Sequence, residues 1–267
     1  MSLENGTFTI LHVSDVHATS GDLLYGSVNG IERLDQVGEY ALSAGITPEA
    51  VIVTGDLVQR GNGEAYPAVA DALRRLEDTL NAPVLSVLGN HDDRELSQCL
   101  PGHSAGHYRV VHVGPVRIVL LDSSAGRLDR EQLDWLAETV AEPFGMGTTI
   151  AVHHAPVPSP LPTLKKVGLA NPSDLADSIA GSDVRLVLAG HYHHPMNADF
   201  RGVTVSVGPS LAYHQVMNAG PSTVSGHDLA MFSLVQVTAD RITTAPVSLG
   251  VHAPLFTTSL LSPASSN

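Results

Sequence analysis

An α/β protein with a two-sheet core and helices on the outside is the fold that this sequence predicts. Short apolar runs alternate with amphipathic helical stretches over the first two-thirds, the pattern of a mainly parallel sheet. The last third, with GVTVSVG, AMFSLVQVTA and RITTAPVSL, alternates apolar and polar residues with no helix between, the pattern of antiparallel strands. At 267 residues and 43% hydrophobic, the chain can fill the core that such an architecture needs.

In order, TFTILHVS (7–14) reads as a strand and GIERLDQVGEYALSA (30–44) as a helix, because its apolar residues fall at helical spacing. AVIVTG (50–55) is a short buried strand, and EAYPAVADALRRLEDTL (64–80) is an amphipathic helix. PVLSVL (83–88) is β-branched and apolar, opened by proline and closed by Gly89. The stretch after it, DDRELSQCL, reads as a helix start with Asn90 or Asp92 as cap. HYRVVHVG (107–114) and VRIVLLDSS (116–124) form a hairpin that turns at Gly114-Pro115. DREQLDWLAETVA (129–141) is a helix, TTIAVHH (148–154) a strand, SDLADSIAG (173–181) a helix and VRLVLAGH (184–191) a strand. The Pro/Gly/Ser-rich segments 155–172 and 208–227 are long connections, and long ordered loops are often functional. One domain is expected over 1–250, with 208–227 as a cap or interface loop and 251–267 as a tail.

Composition narrows the function. The formal net charge is −13, and no basic stripe is present among only 14 Lys and Arg. Such a surface repels nucleic acid polymers and anionic membranes. No stretch of 18 apolar residues is present, so no membrane span is predicted, and MSLENGTFTIL lacks the pattern of a secretory signal. A lone cysteine, Cys99, rules out an internal disulfide framework, suits a reducing cytoplasm and is expected as a small core residue. The 14 histidines equal Lys and Arg together, a balance that points to metal.

Five strand ends carry the chemistry. They are Asp15-Val16-His17, Gly55-Asp56, Gly89-Asn90-His91-Asp92, His153-His154 and Gly190-His191-Tyr192-His193. Polar groups crowded at the end of a buried strand are expensive unless they are used. Parallel strands of one sheet end on the same side, so the five clusters are expected in one cleft. Carboxylates, imidazoles and one amide suit Mn, Fe, Zn or Co, not a thiolate or calcium site. Asp15 and His17, two apart on an extended chain, would point the same way, and His191 with His193 likewise. Asp56, between the two pairs, can bridge two divalent ions roughly 3.5–4 Å apart, the separation used for in-line displacement at phosphorus. Glycines before Asp56, Asn90 and His191 allow sharp turns and close approach.

Taken in order, D-x-H, G-D, G-N-H-D, H-H-x-P and G-H-x-H resemble the calcineurin-like metallophosphoesterases. Within that superfamily LHVSDVH, GDLVQRG, LGNHDDR, VHHAPVPSP and AGHYHHPMNADFRGVTVSV resemble the bacterial class III cyclic nucleotide phosphodiesterases, over roughly residues 7–248. The resemblance implies a four-layer α/β/β/α sandwich of two mixed sheets. It puts Asp15, His17 and His193 on one metal, Asp56 between the metals, and Asn90, His153 and His191 on the other. His91 would face the phosphate and leaving group, Asp92 would cap the following helix or hold the loop, and His153 rather than His154 would be the ligand. A metal-bridging hydroxide would attack phosphorus, Asn90 would take up charge on the phosphate oxygens, and His91 would act as general acid or stabilise the transition state by hydrogen bonding.

The substrate so implied is a small phosphodiester, with cyclic AMP first and glycerophosphodiesters or 2′,3′-cyclic nucleotides as the alternative. A non-catalytic metal-binding interaction module is the alternative of another class. A homodimer is expected because relatives are often dimers. In many relatives an acidic residue follows the G-D aspartate by three and supports the catalytic histidine; here it is Gln59, which would leave His91 without that charge. His12 and His112 are expected as structural residues within strands, and His103, His107 and His252 on surface or loops. His194, His214, His227, Tyr192 and Tyr213 stand near the site in sequence, the tyrosines and His214 as possible stacking groups.

Overall fold

The computed structural model describes residues 6–250. The tail 251–267 and His252 lie outside the described residues. Thirteen strands and four α-helices follow one another among the described residues. The first sheet takes β1 (Phe8–Val13), β2 (Ala50–Thr54), β3 (Val84–Val87), β12 (Met231–Val237) and β13 (Ile242–Ser248), in the order β13-β12-β1-β2-β3. The second takes β4 (Arg109–Val113), β5 (Val116–Leu120), β6 (Thr148–Ala151), β7 (Val184–Ala189), β8 (Met196–Phe200) and β9 (Val203–Val207), in the order β4-β5-β6-β7-β9-β8.

Alternation along each strand builds the layers. In β1, Phe8 and Ile10 face the second sheet, and Leu11 and Val13 face helices. In β2 the split is Ala50 and Ile52 against Val51 and Val53. From the other side Ile118 and Leu120 of β5 and Leu186 and Leu188 of β7 meet them between the sheets. Helices α1 (Gly30–Ser43) and α2 (Tyr66–Leu80) cover the outer face of the first sheet through Leu34, Val37, Val69, Leu73 and Leu76. Helices α3 (Arg130–Thr139) and α4 (Pro172–Ser178) cover the second through Leu133, Leu136, Leu175 and Ile179. The result is the four-layer α/β/β/α sandwich. Strands buried on both faces explain the continuous apolar runs in the sequence.

Helix ends follow local chemistry. Asn29 accepts from the Glu32 amide at the start of α1, and Asp129 accepts from the Gln132 amide at the start of α3. Asn81, left-handed at φ 49°, closes α2.

Several expectations change. DDRELSQCL forms only a short 3-10 turn, Leu96–Cys99, capped by the Asp93 carboxylate on the amides of Glu95 and Leu96. Cys99 is exposed, because that turn lies outside the core. GVTVSVG, as β9, runs parallel to β7, and its antiparallel partner is β8. β8 was not legible: its sequence MNADF is half exposed at the sheet edge and mixes polar with apolar residues. Segment 208–227 contains β10 (His214–Gln215), paired with β11 (Gly226–His227).

His103 and His107 lie in the loop before β4, as expected, but are buried there. His103 Nε2 lies 3.0 Å from Ser86 Oγ, and its Nδ1 lies 3.3 Å from Nδ1 of His107. Burial first, then the charge of Arg109, pushes the His103 imidazole down to about 3. The unfolded chain takes this proton below about pH 6.5 and the folded chain does not, so stability falls as pH falls from that value toward 3. Between pH 7 and pH 5 this site costs about 2 kcal/mol. His103→Asn is expected to lose about 2 kcal/mol less than the wild type over that interval, read by urea unfolding at both pH values. Equal losses in the two proteins reject the assignment. His12 and His112 do lie in strands, His12 buried against Thr54 and His112 beside Phe144.

Candidate metal centre

The site forms where the two sheets bring the carboxyl ends of five parallel strands to one edge, the usual place for a site in α/β folds. The five clusters come from both sheets, not from one. β1, β2 and β3 deliver Asp15, His17, Asp56, Asn90 and His91, and β6 and β7 deliver His153, His154, His191 and His193. Asp15 and His17 are not extended. Asp15 (φ 54°), His17 (48°), Asp56 (49°), His191 (73°) and His193 (53°) are all left-handed. They are five of the eight non-glycine residues in that region among the described residues. Strain held at this many side chains of one cluster marks a functional site. The loops knit together through their backbones: Asp15 N–H donates to Gly55 O at 3.1 Å and His17 N–H to Asp56 O at 2.8 Å.

Close approach requires glycine at two places. A Cβ on Gly89 would fall 2.3 Å from Asp56 Oδ1, and one on Gly190 1.9 Å from Ser14 Oγ and 2.8 Å from Asp15 Oδ2.

Ligand atoms of Asp15, His17, Asp56 and His193 lie within 4.8 Å of one another, as do those of His153, His154 and His191. His17 Nε2 faces His193 Nε2 at 3.2 Å and Asp56 Oδ2 at 3.6 Å, and His193 Nε2 faces Asp15 Oδ1 at 3.2 Å. In the second group His153 Nε2 meets Asn90 Oδ1 at 3.1 Å, His191 Nδ1 at 3.2 Å and Asp56 Oδ2 at 3.5 Å. Asp56 therefore touches both groups.

The other ring nitrogen of three of these imidazoles is spoken for. His17 Nδ1–H donates to Gln59 Oε1 at 2.8 Å, His153 Nδ1–H to Thr54 O at 2.7 Å, and His193 Nδ1–H to Tyr213 O at 3.3 Å. These acceptors fix the tautomers and turn each Nε2 lone pair into the cluster, the arrangement that orients metal-binding histidines. Lone pairs of nitrogen and carboxylate then face one another at about hydrogen-bond distance with no proton assigned between several of them. A cation relieves that repulsion, and the N/O donor set suits a divalent transition metal.

The electrostatics agree. Burial raises the Asp15 carboxyl, but His193 and His153 outweigh it and hold it below the ordinary range. Asp56 is likewise held well below, burial being offset by His153 and His17. Burial lowers His17 to about 4, keeping it neutral. Burial opposes a charge on His153, yet the Asp56 charge and hydrogen bond raise it to about 9. The same nitrogen thus sits where positive charge is favoured.

Around the donors lies a shell that the sequence did not disclose. Ser14 Oγ–H donates to Asp15 Oδ2 at 2.5 Å, Thr54 Oγ1–H to Ser14 Oγ at 2.8 Å, and His12 Nε2–H to Thr54 Oγ1 at 2.9 Å. The signal was His12 within β1, Thr54 at the end of β2 and Ser14 just after β1. Gln59 acts on His17, not on His91, so the expectation for Gln59 is corrected. His91 is held by its backbone N–H, which donates to Asp56 Oδ1 at 2.8 Å, and its ring stands edge-on to His17 at 4.7 Å. Burial lowers its pKa. Of its two expected roles Asp92 takes the second: it accepts from the amides of Leu57, Val58 and Gly89 and so joins the second and third loops, and it caps no helix.

His154 Nδ1 is paired with Ser123 Oγ at 3.0 Å, and its ring packs on His191. Tyr192 is buried with its hydroxyl on Val157 O, and His194 binds Ser159, so both pack loop 155–172. His214 and His227 pair across β10 and β11. Of the expected stacking groups, Tyr213 comes nearest the cluster, 4.1 Å from the His193 ring, and Tyr192 stands 5.8 Å from the His191 ring.

Comparison with known proteins agrees with this geometry. Residues 8–195 match the model of the calcineurin-like phosphoesterases. The chain belongs to this family. It is an enzyme of the phosphoesterase class. A cAMP/cGMP dual specificity phosphodiesterase of Mycobacterium tuberculosis is 36% identical over 254 residues, covering 91% of this chain and 80% of that protein. A 3′,5′-cyclic adenosine monophosphate phosphodiesterase of Pseudomonas aeruginosa is 31% identical and covers 75% of each chain. Among solved structures, a purple acid phosphatase from yellow lupin superposes with TM-score 0.60 at 13% identity, over 91% of this chain and 52% of that one. A dimetal phosphatase from Danio rerio gives 0.54 at 14%, over 89% and 98%. These two show the shared phosphoesterase fold. Among the described residues no helix is long and apolar enough to cross a membrane.

Proposed function

We propose that this phosphoesterase is a dinuclear-metal phosphodiesterase acting on small diesters, 3′,5′-cyclic nucleotides and cyclic AMP first among them, in the cytoplasm. The observation that carries this is one carboxylate, Asp56, shared by two converging donor groups, with Asn90 and His91 beside it. Asp15, His17 and His193 would hold one divalent ion, Asn90, His153 and His191 the other, and Asp56 would serve both. His153 is chosen over His154 because its Nε2 meets Asn90, His191 and Asp56 together. When bound, the two ions supply positive charge for the phosphate oxygens and a water acidic enough to attack near neutral pH.

The chain does the rest. With the Asn90 backbone carbonyl held by Arg60, the Asn90 side chain would place its amide N–H at an equatorial phosphate oxygen. Among the described residues His91 Nδ1 is buried without a partner, which leaves Nε2 as the nitrogen to face substrate. Once protonated, the imidazole would give its Nε2 proton to the leaving alkoxide and return to neutral, or in its neutral form hydrogen-bond to that oxygen in the transition state. Its backbone bond to Asp56 ties its position to the metal carboxylate. The diester carries one negative charge, and the cationic cleft draws it in against the acidic surface.

The test is turnover of bis(p-nitrophenyl) phosphate, cyclic AMP and glycerophosphocholine by protein stripped and reloaded with manganese, beside His91→Ala and Asn90→Ala. Metal-dependent turnover that favours cyclic AMP and falls about 100-fold or more in both variants supports the proposal. Preference for glycerophosphocholine replaces the substrate. Inactivity of the reloaded wild type on all three leaves a metal-binding interaction module. Gly190→Ala tests the cluster separately. Its Cβ displaces Asp15, and manganese affinity by calorimetry is expected to fall about 10–100-fold. Unchanged affinity removes Asp15 from the ligand set.

A further inference from the structure

Beside the metal cluster, residues 213–228 turn back and help to close a cavity of about 410 Å³ that none of the proposed ligands lines. Its size is in the range of small-molecule sites. The wall is anchored on the cluster itself. Gln215 N–H donates to His193 O at 2.8 Å, and Tyr213 O accepts from His193 Nδ1. Tyr213 belongs to both places, its ring 4.1 Å from His193 and 6.2 Å from His17. Its ring is held there: a Cβ on Gly226 would fall 2.6 Å from it, so Gly226 packs closely upon it.

Tyr25 is the residue that ordinary packing does not explain. It is 74% exposed, stands edge-on to Tyr213 at 5.7 Å, and lines the cavity. Its φ of 53° is left-handed, an uncommon and strained conformation for a bulky side chain. Across the same cavity Val224 is 59% exposed, and Val28 lies buried at its wall. Ser27, Ser225, His227 and Asp228 supply a polar rim. A flat group with apolar faces and polar edges, next to the place where the phosphate sits, is what these walls fit.

Building on the proposed phosphodiesterase activity, we infer that this cavity receives the nucleobase of the substrate and that Tyr25 is its stacking platform. Stacking on an aromatic ring tolerates any base, so cyclic AMP and cyclic GMP would both be accepted. A diester with no base would use the metals and His91 but not this wall.

The experiment compares kcat/KM for cyclic AMP with kcat/KM for 1-O-methylribose 3′,5′-cyclic phosphate, which has the same reacting ring and no base. It uses metal-loaded wild type, Tyr25→Ala and Tyr25→Phe. The ratio is expected to fall about tenfold in Tyr25→Ala, mostly through KM, and to stay within twofold of wild type in Tyr25→Phe. An unchanged ratio in Tyr25→Ala overturns the inference, because equal losses on both substrates mean a structural role. A fall in Tyr25→Phe as large as in Tyr25→Ala overturns stacking in favour of the hydroxyl. A wild type that cleaves bis(p-nitrophenyl) phosphate but neither cyclic phosphate overturns the substrate assignment, and the base site with it.

Discussion

Asp56→Asn is expected to lower kcat on bis(p-nitrophenyl) phosphate at least about 10³-fold and to reduce manganese stoichiometry from two ions per chain to one. The substitution keeps shape and leaves Oδ1 able to accept the His91 backbone N–H, now 2.8 Å away. It removes the negative charge and turns an amide toward His17 Nε2 and His153 Nε2, at 3.6 and 3.5 Å from Oδ2 in the native protein. Both donor groups lose their shared anion at once, whereas loss of any other ligand weakens one group. Metal analysis after gel filtration reads the stoichiometry, and steady-state kinetics read the rate. Two ions retained with activity within tenfold of wild type would show that Asp56 is not shared.

Metal removal has the second large effect, on stability. Asp15 and Asp56 are buried, and a buried carboxylate without a positive partner is costly. Without cations the cluster relies on protonated imidazole to balance them. Ions that bind only the folded chain stabilise it by about 4 kcal/mol at a thousandfold excess over Kd. For a chain of this size the melting midpoint should drop by roughly 10 °C on chelation and recover with manganese. Differential scanning calorimetry with EDTA, then with manganese restored, measures it. A midpoint that does not move with metal means that the clustered lone pairs are satisfied by protons and that no ion is held. His103 is remote from these ligands in its contacts, so its acid sensitivity persists in both metal states.

Much of the site was legible along the chain because it is written locally. A buried strand announces itself by its apolar run, and the residue after the run is at a sheet edge whatever the tertiary details. That logic picked out Asp15, His17, Asp56, Asn90, His91, His153, His154, His191 and His193 as groups that meet at one edge. It failed where the local signal was weak or absent. β8 mixes polar and apolar residues at an exposed edge, and the Leu96–Cys99 turn is too short for helical periodicity. The burial of His103 depends on Ser86, 17 residues earlier, and on His107 beside it. Gln59 was linked to His91 by position in a motif, but its carbonyl meets His17, 42 residues away along the chain.

The sequence by itself determined the donor types, their order, their place at strand ends and the alternation that sorts each strand between its two buried faces. These are properties of neighbours along the chain, set by backbone period and residue chemistry. Only the tertiary structure decided that Asp56 touches both donor groups, which acceptor fixes each imidazole, and that Tyr25 and Tyr213 close a cavity beside His193. Those relations join residues tens to hundreds of positions apart. Their distances are set by how the two sheets pack and by the glycines that let the loops approach, and neither can be read from spacing.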